Sequence, residues 1–176
     1  MLAFTRITSI LLFVLSLGFL VSALPTAMMS GSSYGHGFFS VKAVADLAAK
    51  VEVLVADVTA CAKAIVAVGV NIDIDASVKA DIAVKVAAII TVIVKLCVDL
   101  VAKFGILVVI GLLAKIDLCL QLLIVNLGVC VEGIIVLVAN IVVKLGVSVF
   151  ASVHLGLCIN ALGLAGIWEI NITVLR

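Results

Sequence analysis

The most reactive side chains in this sequence are five thiols, Cys61, Cys97, Cys119, Cys130 and Cys158. None adjoins another and no Cys-x-x-Cys occurs, so a structural zinc site, which wants closely spaced thiolates, finds no ligand set. In an oxidising compartment such thiols pair. Five of them allow at most two bridges within the chain and leave one sulfur free or bonded between chains. The opposing reading is that they are small buried hydrophobes with intact thiols. If the chain doubles back at Lys144–Gly146, Cys130 and Cys158 stand equally far from the turn and can face each other across a helical hairpin. Cys119 and Cys130 on one uninterrupted helix would be about 16 Å apart and out of disulfide reach; a break at Asn126–Gly128 leaves that pair open.

Other chemistry is sparse. Nucleophilic catalysis needs a Ser or Cys with a base and an orienting acid, and the bases are only His36 and His154. No Gly-x-Ser-x-Gly elbow is present, and His154, two residues after Ser152, reads as a packed or helix-face residue. Asp73 and Asp75 are the one close pair of carboxylates; flanking a turn near Lys79, they read as capping and solvation. Gly35-His36-Gly37 precedes no strand–helix unit of the kind that cradles phosphate, and His36 has no second His beside it to share a metal. The sequence therefore points to no catalytic residue, cofactor or metal, and the chain reads as a non-enzyme. Asn171-Ile172-Thr173 is the single N-glycosylation sequon.

The elements that carry these residues are unusually apolar. Of 176 residues, 66% are hydrophobic and 12% charged, against roughly 45–50% and 25% in ordinary soluble domains. With 11 basic and 10 acidic residues, neither a nucleic-acid-binding face nor a solvated acidic tail is available. Arg6 is the only charge among the first 41 residues and precedes the apolar run Ile7–Leu20, after which Val21-Ser22-Ala23 supplies small residues for cleavage. This is the layout of a secretory signal peptide over 1–23. Residues 24–40, rich in Ser and Gly near Met28–Ser40, read as a flexible leader.

From Val41 the charges recur at three- and four-residue steps. Lys42, Asp46, Lys50 and Asp57 share a stripe with Glu52 and Lys63 beside it, and Ser77, Asp81, Lys85, Ala88, Val92, Lys95, Asp99 and Lys103 form another. That period predicts helices over Val41–Val68 and Ala76–Phe104. The connector Gly69-Val70-Asn71-Ile72-Asp73-Ile74-Asp75 predicts a turn with Asp75 as N-cap. After Gly105 the chain is almost all Leu, Ile, Val, Ala and Gly, and the breaks at Asn126-Leu127-Gly128 and Lys144-Leu145-Gly146 predict helices over Ile106–Asn126, Val129–Lys144 and Val147–Ile167. The expected fold is an all-α bundle of four to five long amphipathic or hydrophobic helices. It forms one domain over 41–176, with an amphipathic half over 41–104 and a hydrophobic half over 105–170.

Leu145–Trp168 has 24 residues without a formal charge, long enough to span a bilayer, but it is diluted by Ser148, Ser152, His154, Asn160 and four glycines. Lys115 with Asp117, and Lys95 with Asp99, interrupt the other candidates at a cost of about 2.5–3.5 kcal/mol per charge at mid-bilayer. No cluster of Lys and Arg flanks any of them to set a topology. A soluble domain of this size buries only about 68–70% of its unfolded surface, so apolar patches must remain outside, and such patches mark association or adsorption.

The stretch Lys103-Phe104-Gly105-Ile106 through Ala114-Lys115-Ile116-Asp117-Leu118-Cys119, followed by Leu127-Gly128-Val129-Cys130-Val131-Glu132-Gly133-Ile134-Ile135, resembles a family of small secreted proteins of mushroom-forming fungi. The resemblance covers roughly residues 90–165. It implies a signal peptide, a more polar first half, a very hydrophobic second half, and a role in aerial-hypha formation and attachment to hydrophobic surfaces. The chain departs from hydrophobins, whose eight cysteines include adjacent pairs, so no hydrophobin disulfide pattern carries over. Together the residues and the resemblance point to a secreted amphiphile of the cell wall or extracellular matrix, with self-association, hydrophobic surfaces, cell-wall polymers or lipid as partners. The alternatives are a polytopic membrane protein and a carrier of lipid or another apolar ligand.

Overall fold

The structure, a computed structural model, describes residues 41–164, the side chains of residues 41–44 and 147 apart. The signal segment 1–23, the leader with His36, and the sequon at Asn171 lie outside the described residues. Six helices follow one another among the described residues: α1 (Val41–Val68), α2 (Ala76–Phe104), α3 (Ile106–Cys130), α4 (Ile134–Val142), α5 (Val147–Ser152) and α6 (Gly156–Ala161), with a 3₁₀ turn over Val143–Leu145 between α4 and α5. The described residues are all-helical, and no strand occurs among them.

Helices α1 and α2 have the bounds that the charge periodicity predicts. On α2 the polar positions Ser77, Asp81, Lys95, Asp99 and Lys103 are exposed, while Ile82, Val86, Ile89, Ile90, Ile93, Val94, Leu96 and Leu100 are buried. On α1 the buried residues Leu47, Val51, Leu54, Val58, Cys61 and Ile65 step by four and three alternately. Helix α3 buries Val109, Leu113, Ile116, Leu120, Leu123, Leu127 and Cys130 with the same alternation. This is the spacing of two helices packed along a shared seam, and α1 and α3 form the most extensive pairing in the molecule.

Two polar links set the direction of that pair. Lys115 on α3 reaches Glu52 on α1 in an exposed ion pair, and Asn126 Nδ2 donates to the Ala62 carbonyl at 3.0 Å. Both partners advance together along the chain, so α1 and α3 run parallel, with α2 as the return stroke. Gly105 alone joins α2 to α3; its φ of +81° lies in the left-handed region that glycine enters without steric cost, and its N–H donates to Val101 O at 2.9 Å.

At the far end, the connector between α1 and α2 closes over the end of α3. Asn71 N–H donates to Val129 O (3.0 Å), Ile72 N–H to Cys130 O (2.8 Å), and Lys79 Nζ to Glu132 O (2.9 Å). The last carbonyls of a helix have no partner within it, and this connector supplies donors to two of them. Asn71 holds φ +48°, a conformation Asn tolerates better than most residues. Asp75 occupies the N-cap position of α2 as expected, but its side chain makes no capping bond. Asp73 and Asp75 are both exposed.

In the second half the breaks fall elsewhere than predicted. Helix α3 runs straight through Asn126-Leu127-Gly128 to Cys130, and the interruption comes at Val131–Gly133. Gly128 is there for close approach and not for termination: a Cβ on it would lie 2.9 Å from Cγ1 of Ile135, on the next helix. The break at Gly146 is where the sequence puts it. The single helix expected over Val147–Ile167 is, within the described residues, two short helices, because Val153–Leu155 turn with His154 at φ +58°. Helix α4 packs mainly on α2, and α6 on α3.

Gly128→Val puts methyl groups into the space Ile135 occupies, and the overpacking is expected to lower unfolding free energy in urea by about 1–3 kcal/mol. Combining it with Ile135→Ala recovers part of that loss. Additive effects of the two changes would contradict the close approach.

Candidate functional site

Two features of α3 stand out, one inside the molecule and one outside. The inner one begins with Asp117, the only buried charged residue among those described, 4% exposed. Its Oδ2 accepts the Leu157 N–H at 2.9 Å and its Oδ1 the Cys158 N–H at 2.8 Å. These two groups belong to the first turn of α6, whose N-cap position is held by Leu155, with no side-chain cap of its own. The first N–H groups of a helix are orphans that attract negative charge, so a carboxylate forty residues away in the chain does the work of a local cap. Among the described residues no buried side-chain nitrogen or oxygen lacks a hydrogen-bond partner.

In the sequence Lys115 and Asp117 stand together, as charges interrupting an apolar helix. The fold separates them: Lys115 points out to Glu52 while Asp117 points in to α6. The signal was present, since Asp117 shares a helix face with the apolar positions Leu113, Leu120 and Ile124. An acid at a core position of an amphipathic pattern demands buried donors.

Three buried thiols from three helices lie within electrostatic reach of Asp117: Cys97 of α2, Cys119 of α3 and Cys158 of α6. Cys97 lies within electrostatic reach of Cys119 and Asp117, and Cys158 of Asp117, Cys97 and Cys119. Burial, and secondarily these neighbours, push Cys97 and Cys158 up to about 12, and burial likewise holds Cys119 at about 12. Cys119 also donates its S–H to Ile116 O at 3.1 Å. Cys61 is raised to about 11 by burial, and Cys130 is raised for the same reason. All five are thiols, buried and unpaired in this structure.

The pairings weighed from sequence change accordingly. Cys119 and Cys130 share one uninterrupted helix, and their separation of about 16 Å forbids a bridge. Cys158 does not face Cys130: it is hydrogen-bonded to Asp117, which stands about 20 Å along α3 from Cys130. Ser152 and His154 are exposed, and the Ser hydroxyl donates to Val149 O at 2.7 Å. No group of three or more His, Cys, Asp or Glu among the described residues is placed to hold a metal ion.

The outer feature is the face of α3 turned away from the core. Leu107, Gly111, Ala114, Leu118, Leu122, Val125 and Val129 recur at steps of three and four and are all exposed, Leu107 by 86% and Leu118 by 59%. These seven positions carry no charge and span about 33 Å, from a rise of 1.5 Å per residue, with the exposed Lys115 at their edge. Val108 and Ile110 widen it at one end. By length and composition α3 is also the one described helix apolar enough to cross a membrane.

No family model, curated protein or solved structure matches the chain. The functional reading therefore rests on these two features.

Replacing Asp117 by Leu leaves the first N–H groups of α6 without an acceptor, at about 1–3 kcal/mol each. Amide exchange at Leu157 and Cys158 is expected to speed at least about tenfold, and unchanged exchange would contradict the capping role. Burial raises the Asp117 carboxyl above its ordinary 3.8, partly opposed by the two N–H donors. A raised folded-state value favours the protonated form on folding, so this contribution is complete below 3.8 and is lost as pH rises through the raised value. The stability of the native chain relative to Asp117→Asn should thus fall with rising pH across that window; a rise would show the donors outweighing burial.

Proposed function

We propose that this protein is a non-enzymatic secreted amphiphile, a helical bundle that self-associates and coats or adheres at hydrophobic interfaces of the cell wall or extracellular matrix. The observation that carries this reading is the uncharged stripe along α3. An isolated exposed Leu is ordinary, but soluble monomers rarely leave a contiguous apolar face of this extent without using it for contact. The charged positions of α2, by contrast, keep another face wet, so the molecule offers water and an apolar phase different sides. The signal-like segment over 1–23 and the resemblance to small secreted fungal proteins support the same placement, outside the cell and on surfaces such as those of hyphae.

A membrane-embedded protein is the second reading, and the length and apolarity of α3 favour it. Against it, α3 turns its other sides inward on α1, α2 and α6, and Asp117 would need its buried donors within the hydrocarbon.

The test uses the chain without residues 1–23 on a methylated solid surface. Leu107, Leu118 and Leu122 replaced together by Gln are expected to weaken adsorption by about tenfold or more, given about 1.5–3 kcal/mol for each leucine fully removed from water. Lys95→Gln with Asp99→Asn should leave it unchanged. Equal loss in both variants, or in neither, would contradict the stripe as the adsorbing face. Recovery of the native protein only in membranes, resistant to carbonate, would favour the second reading.

A further inference from the structure

The outward positions of α3 are spaced alike from either end. From Leu118 at the centre, the exposed positions step by four, three and four back to Ala114, Gly111 and Leu107, and by four, three and four forward to Leu122, Val125 and Val129. These steps average close to the 3.6 residues of a helical turn, so the seam runs straight along the helix. The two arms differ in bulk: the inner positions of one are Ala and Gly, those of the other Leu and Val. At Gly111 a Cβ would meet nothing within 4 Å, so the hollow there opens outward. Laid antiparallel with Leu118 on Leu118, a second copy brings its Leu122 to Ala114, its Val125 to Gly111 and its Val129 to Leu107. Small positions receive large ones, as knobs enter holes between packed helices. A parallel pairing in register sets Gly111 on Gly111 and Leu122 on Leu122, with a void at one level and crowding at another.

We propose that a second copy of this chain covers the α3 stripe, in a two-fold antiparallel pair centred on Leu118 that forms in solution and gives up the stripe on dilution or at an apolar surface. The inference rests on the reading of this stripe as a contact surface and names its partner in solution. Lys115, the one charge at the edge, is already paired with Glu52 of its own chain, so no unpartnered charge enters the seam, and a chain of net charge +1 does not repel its copy. The strip is about 33 Å long and, from the diameter of a helix, about 10 Å wide, which places the pair at the weak and reversible end of protein association. The same patch serves both copies, so the assembly closes at two. Gly111 sets how closely the two helices approach.

The test is sedimentation equilibrium of the full chain over a wide range of concentration, where a reversible monomer–dimer equilibrium is expected. Gly111→Leu is the discriminating variant. Within one copy it occupies open space, favours the helix and adds apolar area, so indiscriminate stickiness would rise, whereas the two-fold pair loses the hollow that takes Val125. Dimerisation is expected to weaken at least about tenfold, with adsorption on the methylated surface undiminished. Under brief oxidation of the reduced chain, whose own five thiols are buried, Leu118→Cys should join copy to copy through residue 118. Leu107→Cys should join Val129→Cys and not itself, since two copies of residue 107 stand about 33 Å apart in the pair. A monomer at every concentration, an open series of oligomers, a tighter dimer in Gly111→Leu, or a bond between two copies of residue 107 would each overturn the pairing. Dimerisation only after removal of residues 165–176 would assign the stripe to the chain's own C-terminal segment and overturn it as well. Loss of adsorption with the dimer intact would instead contradict the proposed function and not the pairing.

Discussion

A helix that is apolar on every side needs cover on every side, and α3 has it around only part of its circumference. Its seam of Val109, Leu113, Ile116, Leu120, Leu123 and Leu127 is buried, and α1 is its most extensive neighbour. A second sector meets α2 and α6. The remaining sector, from Leu107 to Val129, faces outward with Lys115 as its one charge. The other helices are arranged to serve this one: α1 runs parallel to it, α2 is the return stroke that makes the parallel arrangement reachable, and the connector over residues 69–75 supplies donors to its terminal carbonyls. Burial of apolar area drives the assembly, and a chain of this composition has more such area than 124 described residues can cover.

Polar groups are few, and each one inside the fold fixes a position that apolar packing alone leaves loose. Helices of six residues are not stable by themselves, so α5 and α6 depend on the body of the molecule. Asp117 gives α6 a register by accepting from two consecutive amides. Asn126 does the same for α1 against α3, through the Ala62 carbonyl. The exposed Lys115–Glu52 pair adds direction more than stability, since ion pairs in water contribute about 0–1 kcal/mol.

The legible part of the fold is the part with charges in it. Asp81, Lys85, Lys95, Asp99 and Lys103 mark the wet side of α2 at helical steps, which is why the bounds of α1 and α2 could be read to the residue. Beyond Gly105 there is almost no polar contrast to carry a period, and glycines become the main punctuation. Gly146 does end a helix, but Gly128 serves packing against Ile135, and the break moves to Gly133. A glycine that ends a helix and one that admits a neighbour look alike until the neighbour is known. The role of Asp117 could have been seen from its place among Leu113, Leu120 and Ile124. Its partners Leu157 and Cys158 could not, because that pairing depends on how α6 packs against α3.

The central claim is that the outward face of α3 is the working surface. Carbene footprinting of the chain free in solution and adsorbed on hydrophobic beads reads that face residue by residue. The account predicts that adsorption protects Leu107, Leu118, Leu122 and Val125 while Lys95 and Asp99 on α2 keep their labelling. Protection spread evenly over the helices, or concentrated on the charged positions of α2 with the α3 stripe still labelled, would contradict it.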